Sequence, residues 1–477
     1  MIYKNFIGNQ WLSALAGQTL PVINPSDGQL YGEIARSGEA DIDTAVRAAR
    51  TAFNGEWGKM APAARSRLLW RISAALLAHQ RELAEIESRD TGKPIQQAMA
   101  DAGAVARYFE FYAGAADKLH GETIPYPSNF TVMTVREPHG VTGHIVPWNY
   151  PLQIFGRSVA ASLAVGNACV IKPAEDACVS LLKVAEIAMD AGLPAGALNI
   201  VTGLGAEAGA ALSAHPGIDH VSFTGSPATG KAVAMAAAAH FAPVTLELGG
   251  KSPQIVFSDA DIEAGLPVWL NAIIQNAGQT CSAGSRLLVQ RAIYADVVAR
   301  LSERFEATRT GAAGDDPDCG PLISARQRER VAGYLGMADE AGITVAARGK
   351  LDANAPKGGF YQVPTLLSDV PPDHVLAQEE IFGPVLVAIP FDTEEQALRI
   401  ANSTAYGLAA GVWTADGARQ MRMARHLRSG QVFVNNYGAA GGVELPFGGT
   451  GQSGYGREKG FEALYGFTTL KTIAIKH

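Results

Sequence analysis

From residue 141 onward the apolar residues gather in short runs, at 141–146, 168–171, 198–201, 220–223 and 244–248, with Ala-rich stretches of helical spacing between them. Runs of this length, bounded by turn-forming residues, suit strands buried on both faces. Alternated with helices they demand βαβ units and a parallel sheet, which carries its ligands at the carboxyl ends of its strands. Upstream, residues 41–119 read as helices: Leu68, Leu69, Ile72, Leu76 and Leu77 recur at helical spacing with charged residues between them. Downstream a second α/β pattern occupies roughly 255–434, with strands expected at 253–256, 285–289 and 385–391. Segments 126–137 and 468–475 alternate polar and apolar residues without helical neighbours. Paired with one another, they would make a small extra sheet able to carry an oligomer interface. A chain of 477 residues exceeds a single core, so two or three domains are expected.

The charge balance excludes some partners. Net charge is −7 with Lys and Arg scattered along the chain, and an isoelectric point near 5.8 offers no basic footprint for nucleic acid. The opening MIYKNFIGNQW has polar residues every few positions and no leader-like apolar segment. The longest apolar stretch, 158–171, lies between Arg157 and Lys172 and contains Asn167, so it reads as core and no membrane partner is expected. Cys169, Cys178, Cys281 and Cys319 follow neither a disulfide framework nor metal-ligand spacing. A reducing cytoplasm and no metal are therefore expected, with room for one chemically active cysteine.

Three segments carry candidate chemistry. In Gly-Gln-Thr-Cys-Ser-Ala-Gly-Ser-Arg (278–286) Cys281 has small, polar neighbours that leave room for a substrate carbon at sulfur; the bland alternative is a buried structural thiol. In Leu-Glu-Leu-Gly-Gly-Lys (246–251) Glu247 ends an apolar strand, where partial desolvation would raise its pKa toward that of a general base; the alternative is a salt bridge to Lys251. In Pro-Trp-Asn-Tyr-Pro (147–151) two prolines fix a turn that could present Asn149 as a preorganised donor, though asparagine also serves turns for its own sake. Three more segments end strands in a way that suits a nucleotide. Gly203-Leu-Gly205 with Gly209 approximates a dinucleotide fingerprint, Phe223-Thr-Gly225-Ser226 could meet a phosphate, and Lys172-Pro-Ala-Glu175 could grip ribose hydroxyls. The best acid lies before the glycines, not about 20 residues after them, so the ordinary Rossmann arrangement is not expected.

Taken together, these pieces resemble the aldehyde dehydrogenase superfamily over essentially the whole chain and in order: P-W-N-Y-P, K-P-A-E, F-T-G-S, E-L-G-G-K, G-Q-T-C, E-E-I-F-G-P-V (379–385) and P-F-G-G-T-G-Q-S-G-Y-G-R-E-K-G (446–460). The resemblance implies an α/β chain with a Rossmann-like NAD-binding domain (1–122 and 141–248), an α/β catalytic domain (249–440) and a β oligomerisation arm (123–140 and 460–477). It further implies a homodimer or homotetramer that oxidises an aldehyde with NAD, NADP being the alternative. By the same resemblance Cys281 is the nucleophile, Glu247 the general base, and Asn149 the oxyanion donor beside the Cys281 amide. Glu380 and Phe382 meet the nicotinamide ribose, Lys172 and Glu175 the adenosine ribose, and Ser226 the pyrophosphate. Trp148, Gly205, Gly225 and Leu248 complete the cofactor set.

The sequence departs from much-studied members nine residues after Asn149, where their relay lysine is Ser158 here; a relay through Glu247 and Glu458 would have to use water. Relatives that pass the acyl group to CoA tend to lack the glutamate of E-L-G-G-K, which this chain keeps. A catalytically silent relative is a further reading, opposed by the intact Cys281, Glu247 and Asn149. For the substrate, Arg157 resembles half of a carboxylate clamp of semialdehyde dehydrogenases, the second arginine being Gln275 here; it is otherwise a structural residue. With Tyr150 as an aromatic wall, an aromatic or ω-substituted aldehyde is expected.

Overall fold

The computed structural model describes residues 1–477, the side chain of Ala440 apart. Its centre is an eight-stranded sheet in the order Gly454–Tyr455, Val244–Glu247, His220–Thr224, Val141–Val146, Ala168–Pro173, Leu198–Ile200, Asn5–Ile7, Gln10–Leu12. The five strands between residues 141 and 247 are mutually parallel. The chain starts this layer at Val141–Val146, builds outward to Leu198–Ile200, then returns to the other side of its first strand at His220–Thr224. That reversal is the topological switch point of a Rossmann-like sheet, and a crevice opens there at the carboxyl ends.

Helices cover both faces. Pro151–Val165 has proline in its first turn and ends at Gly166, whose φ of 103° is the left-handed conformation that closes a helix; Gly166 N donates to Leu163 O at 3.0 Å and Asn167 N to Ser162 O at 3.1 Å. Every residue of this helix but Gln153 is buried, which explains why its sequence lacks an amphipathic stripe. Each fully buried Leu or Val contributes about 1.5–3 kcal/mol.

A second, seven-stranded sheet runs Thr344–Arg348, Thr365–Ser368, Val385–Phe391, Arg286–Gln290, Pro253–Val256, Ala409–Trp413, Gln431–Val434, all parallel except the first. It has its own apolar layers, built around Ile255 and Val387 on one side and Val256 and Trp269 on the other. Only residues 248–252 link the last parallel strand of the first sheet to Pro253–Val256.

The two lone β segments do pair. Thr468–Lys476 lies antiparallel to Phe130–Pro138 from Thr468↔Pro138 to Lys476↔Phe130, with Thr123–Ile124 on the far side. The expected arm is too wide at 460–467, however: Ala463, Leu464 and Phe467 pack into the core of the first sheet. Five short strands between Ile2 and Ala35 were not foreseen. Asn5–Ile7 is fully buried but only three residues long, and the other four mix buried, partly buried and exposed positions without a period that sequence could reveal. The helix expected after Gly203-Leu-Gly205 is a π turn, Gly205–Gly209, followed by only Ala210–Ala214. No described helix is long and apolar enough to cross a membrane.

Candidate active site

The carboxyl ends of the first sheet face the amino ends of the second. Val146 leads to Trp148 and Asn149, Thr224 to Gly225 and Ser226, and Glu247 to Leu248; opposite them stand Lys251 before Pro253, Cys281 before Arg286, and Glu380 before Val385. Residues distant in sequence are thereby brought into one crevice.

Cys281 leaves a left-handed turn. Asn276, Ala277 and Gly278 have φ of 48°, 53° and 71°, a conformation that costs each non-glycine residue of order 1 kcal/mol. A side chain on Gly278 would place its Cβ 2.2 Å from Gly383 O. Gln279 locks the turn: its Nε2 donates to Asn276 O at 3.0 Å, and its Oε1 accepts from Ile323 N at 2.9 Å. Neither Asn276 nor Gln279 carries a local sequence signal for this role, which depends on the left-handed backbone and on Ile323.

Asn149 is buried and donates one side-chain N–H to Gln279 O at 3.0 Å, two residues before Cys281. The second amide hydrogen has no such partner among the described residues. Its backbone carbonyl accepts from Lys93 Nζ at 3.0 Å and Asn276 Nδ2 at 2.8 Å. Lys93 is wholly buried with Glu87 and Asp101, at 3.3 and 2.5 Å. This ion cluster, unforeseen from sequence, fixes the turn that presents Asn149.

Glu247 is 1 % exposed, and neither carboxylate oxygen has a hydrogen-bond partner among the described residues. Lys251 Nζ is likewise unpartnered, so the Glu247–Lys251 salt bridge does not form. Burial drives Glu247 well above the usual carboxylate range; nearby Arg157 opposes this and Glu458 adds to it. Burial also pushes the Cys281 thiol up to about 11, with Arg157 pulling it down and the Glu380 and Glu247 carboxylates pushing it higher.

The candidate cofactor residues form a row. Sheet order sets Leu248, Ser226, Trp148 and Lys172 side by side over three strand spacings, roughly 14 Å. Lys172 Nζ grips Glu175 at 2.8 Å. Burial would raise Glu175, but Lys172 outweighs it and holds the carboxylate below its ordinary range. The Lys172 side chain, itself buried, lies about 4 Å from where side chains on Gly205 and Gly209 would begin. Ser226, exposed, caps Pro227–Ala238 by accepting from Thr229 N at 3.3 Å, leaving a helix start open to an anion. Leu248 packs over Gly230, where a Cβ would approach it to 2.6 Å. Trp148 meets Phe382 edge-on at 5.4 Å. Phe382 has a φ of 59°, and its carbonyl accepts from Gln327 Nε2 at 2.7 Å. Glu380 accepts from Gly250 N at 2.9 Å and would collide with any side chain on Gly249. A row with a cation, a carboxylate pair, an open helix start and glycines under each approach fits a dinucleotide.

A cavity of about 970 Å³ reaches Cys281 from the other side, lined among others by Tyr108, Tyr150, Arg157, Phe433, Phe447 and Lys459. Tyr150 is anchored, its hydroxyl 2.9 Å from Thr280 Oγ1. Arg157 is not free to clamp a substrate: Nε donates to Glu458 at 2.5 Å and Nη2 to Thr224 Oγ1 at 3.1 Å. Glu458 also accepts from Ser222 Oγ at 2.6 Å. The buried Arg157–Glu458 pair thus occupies the carboxylate that a water relay from Glu247 would use.

The sequence profile described as Aldehyde dehydrogenase family matches residues 11–473. An aldehyde dehydrogenase of Emericella nidulans is 42 % identical, covering 98 % of this chain and 94 % of its own. A crystallised Burkholderia cenocepacia protein of the same description is 66 % identical with a TM-score of 0.99, over 99 % of this chain and 100 % of that one. The NAD+ complex of an aldehyde dehydrogenase from Bacillus cereus is 40 % identical with a TM-score of 0.96, over 100 % and 97 %.

Proposed function

Because this chain belongs to the aldehyde dehydrogenase family, we propose that it oxidises an aromatic or ω-substituted aldehyde to its acid, using NAD and a covalent step on Cys281. Aldehyde oxidation with NAD is the family's reaction; the substrate and residue roles are our reading. Carrying it is the meeting of Asn149, held by Gln279 O, with the turn that bears Cys281.

The Cys281 thiol gives up its proton to water in the cavity, and its sulfur adds to the aldehyde carbon as the carbonyl π pair moves onto oxygen. The oxygen that becomes anionic is met by the unused Asn149 N–H and the Cys281 amide, donors in place before the charge forms. NAD, when bound, takes the hydride that leaves this carbon. What remains on Cys281 is a thioester. Glu247 then removes a proton from water, the water oxygen replaces sulfur, and the acid departs as the thiol is restored. Glu247 suits this step because its buried carboxyl has no partner to lose. Lys172 and Glu175 would hold the adenosine ribose, with the Glu175 carboxylate repelling a 2′-phosphate and so favouring NAD over NADP; Ser226 and Gly225 would meet the pyrophosphate, and Glu380 with Phe382 the nicotinamide ribose. Trp148, Gly205 and Leu248 would line that path. The separate cores support reading the first sheet as the cofactor domain and the second as the catalytic one. The paired strands support an oligomerisation arm, and four unbonded cysteines fit a reducing compartment.

The test is a kinetic pair. Cys281→Ser should abolish aldehyde oxidation while NAD binding persists, and retention of more than about a tenth of wild-type turnover would end the covalent reading. Glu247→Gln should give a burst of about one NADH per site and then slow turnover. A slow single phase would move Glu247 to an earlier step.

A further inference from the structure

Three cations line the cavity that leads to Cys281: Arg107, Arg157 and Lys459. Two of them are neutralised. Arg107 pairs with Glu110 and Glu444, and Arg157 with Glu458. Among the described residues no carboxylate pairs with Lys459, whose Nζ donates only to Gly441 O, at 2.9 Å. Two of its three N–H donors remain for something else. The backbone is shaped to put it there. Lys459 has a φ of 62° and Gly460 one of 60°, so a long-chain residue occupies the left-handed conformation at a cost of order 1 kcal/mol. This turn lets consecutive residues serve opposite sides: Glu458 points into the protein to hold Arg157, while Lys459 reaches the cavity. Phe447 stands between the two cations, its ring 4.9 Å from the Arg157 guanidinium and 5.8 Å from Lys459 Nζ. An ammonium beside an aromatic wall keeps unused donors for an incoming anion, because the carboxylate that acts on it, Glu444, is bonded to Arg107.

We propose that Lys459 is a specificity-determining residue that binds a carboxylate at the far end of the substrate, so that the preferred aldehyde is an ω-carboxylate aldehyde. This rests on the reading of the cavity as the aldehyde entrance. It places on Lys459 the anion-binding role that the family resemblance offered Arg157 as one of two readings. Burial lowers the ammonium to about 8, an effect to which Arg157 adds and which Glu444 and Cys281 oppose. Its charge is therefore present at neutral pH and is lost as pH rises through about 8. Binding of an anion should weaken over that range.

The experiment compares kcat/KM for succinic semialdehyde, hexanal and betaine aldehyde in the full-length enzyme with NAD. In Lys459→Met the ratio of succinic semialdehyde to hexanal should fall at least tenfold, carried by KM. Lys459→Arg should keep the ratio within about threefold of wild type, and Lys459→Glu should move preference toward the cationic betaine aldehyde. The wild-type KM for the semialdehyde, and not that for hexanal, should rise between pH 7 and 9, and this rise should vanish in Lys459→Met. A semialdehyde-to-hexanal ratio unchanged within twofold in Lys459→Met, with hexanal still oxidised, overturns the proposal and leaves the enzyme assignment standing. Wild-type enzyme that oxidises none of the three aldehydes overturns the assignment and this proposal with it.

Discussion

At the scale of single residues, Cys281 and Glu247 share a predicament. Each is desolvated, so each prefers its proton, and neither has a dedicated partner to stabilise the charged form. Arg157 is the nearest compensation, and it is already bonded to Glu458. For a thiol raised to about 11, the thiolate fraction at neutral pH is small and grows about tenfold per pH unit until that value. Inactivation of the free enzyme by iodoacetamide should accordingly accelerate about tenfold per unit from pH 7 to 9, measured as residual NADH formation. A plateau below pH 8 would mean that the free thiol is already activated.

Among the elements, the turns that present functional groups are held from beneath by buried polar clusters. The clearest is Lys93, which bridges Glu87, Asp101 and the carbonyl of Asn149. The carboxylates of Asp101 and Glu87 outweigh burial and keep the lysine charged. Lys93→Met should leave two carboxylates buried without a cation, costing about 3–5 kcal/mol. Urea unfolding checks the magnitude, and a loss under about 1 kcal/mol would show that water enters to replace the ammonium. Any variant that survives should lose kcat before NAD affinity, because the defect lies under Asn149 and not under Lys172.

For the whole molecule, the outer strands of the ribbon, Thr468–Lys476 and Thr123–Ile124, are largely exposed while Phe130–Pro138 between them is half-buried, and Leu470 and Ile475 stand at 55 % and 45 % exposure. A small ribbon with an open edge and apolar groups in water calls for a partner. Sedimentation should give a multiple of the 50.0 kDa chain, and Leu470→Glu with Ile475→Glu should lower it. A wild-type monomer would remove the interface reading. Much of this architecture was legible beforehand, because strands buried on both faces and helices between them leave apolar runs that reflect local periodicity alone. The five parallel strands of the first sheet, the pairing partners of the arm, and the segments bearing Cys281, Glu247 and Asn149 were all visible in that way. The N-terminal strands were not, since runs of two or three residues, and longer ones of mixed burial, have no period to read. Nor could sequence tell that Arg157 is occupied by Glu458, that Glu247 stands apart from Lys251, or that Lys459 reaches the cavity beside Cys281. Those facts depend on which groups meet across 301 residues of chain and on backbone conformations such as the φ of 62° at Lys459. The amino-acid sequence determined the elements and the kinds of chemistry available; packing alone decided which charges are spent on one another and which remain for a ligand, because a charge's partner is fixed by distance in space, not by separation along the chain.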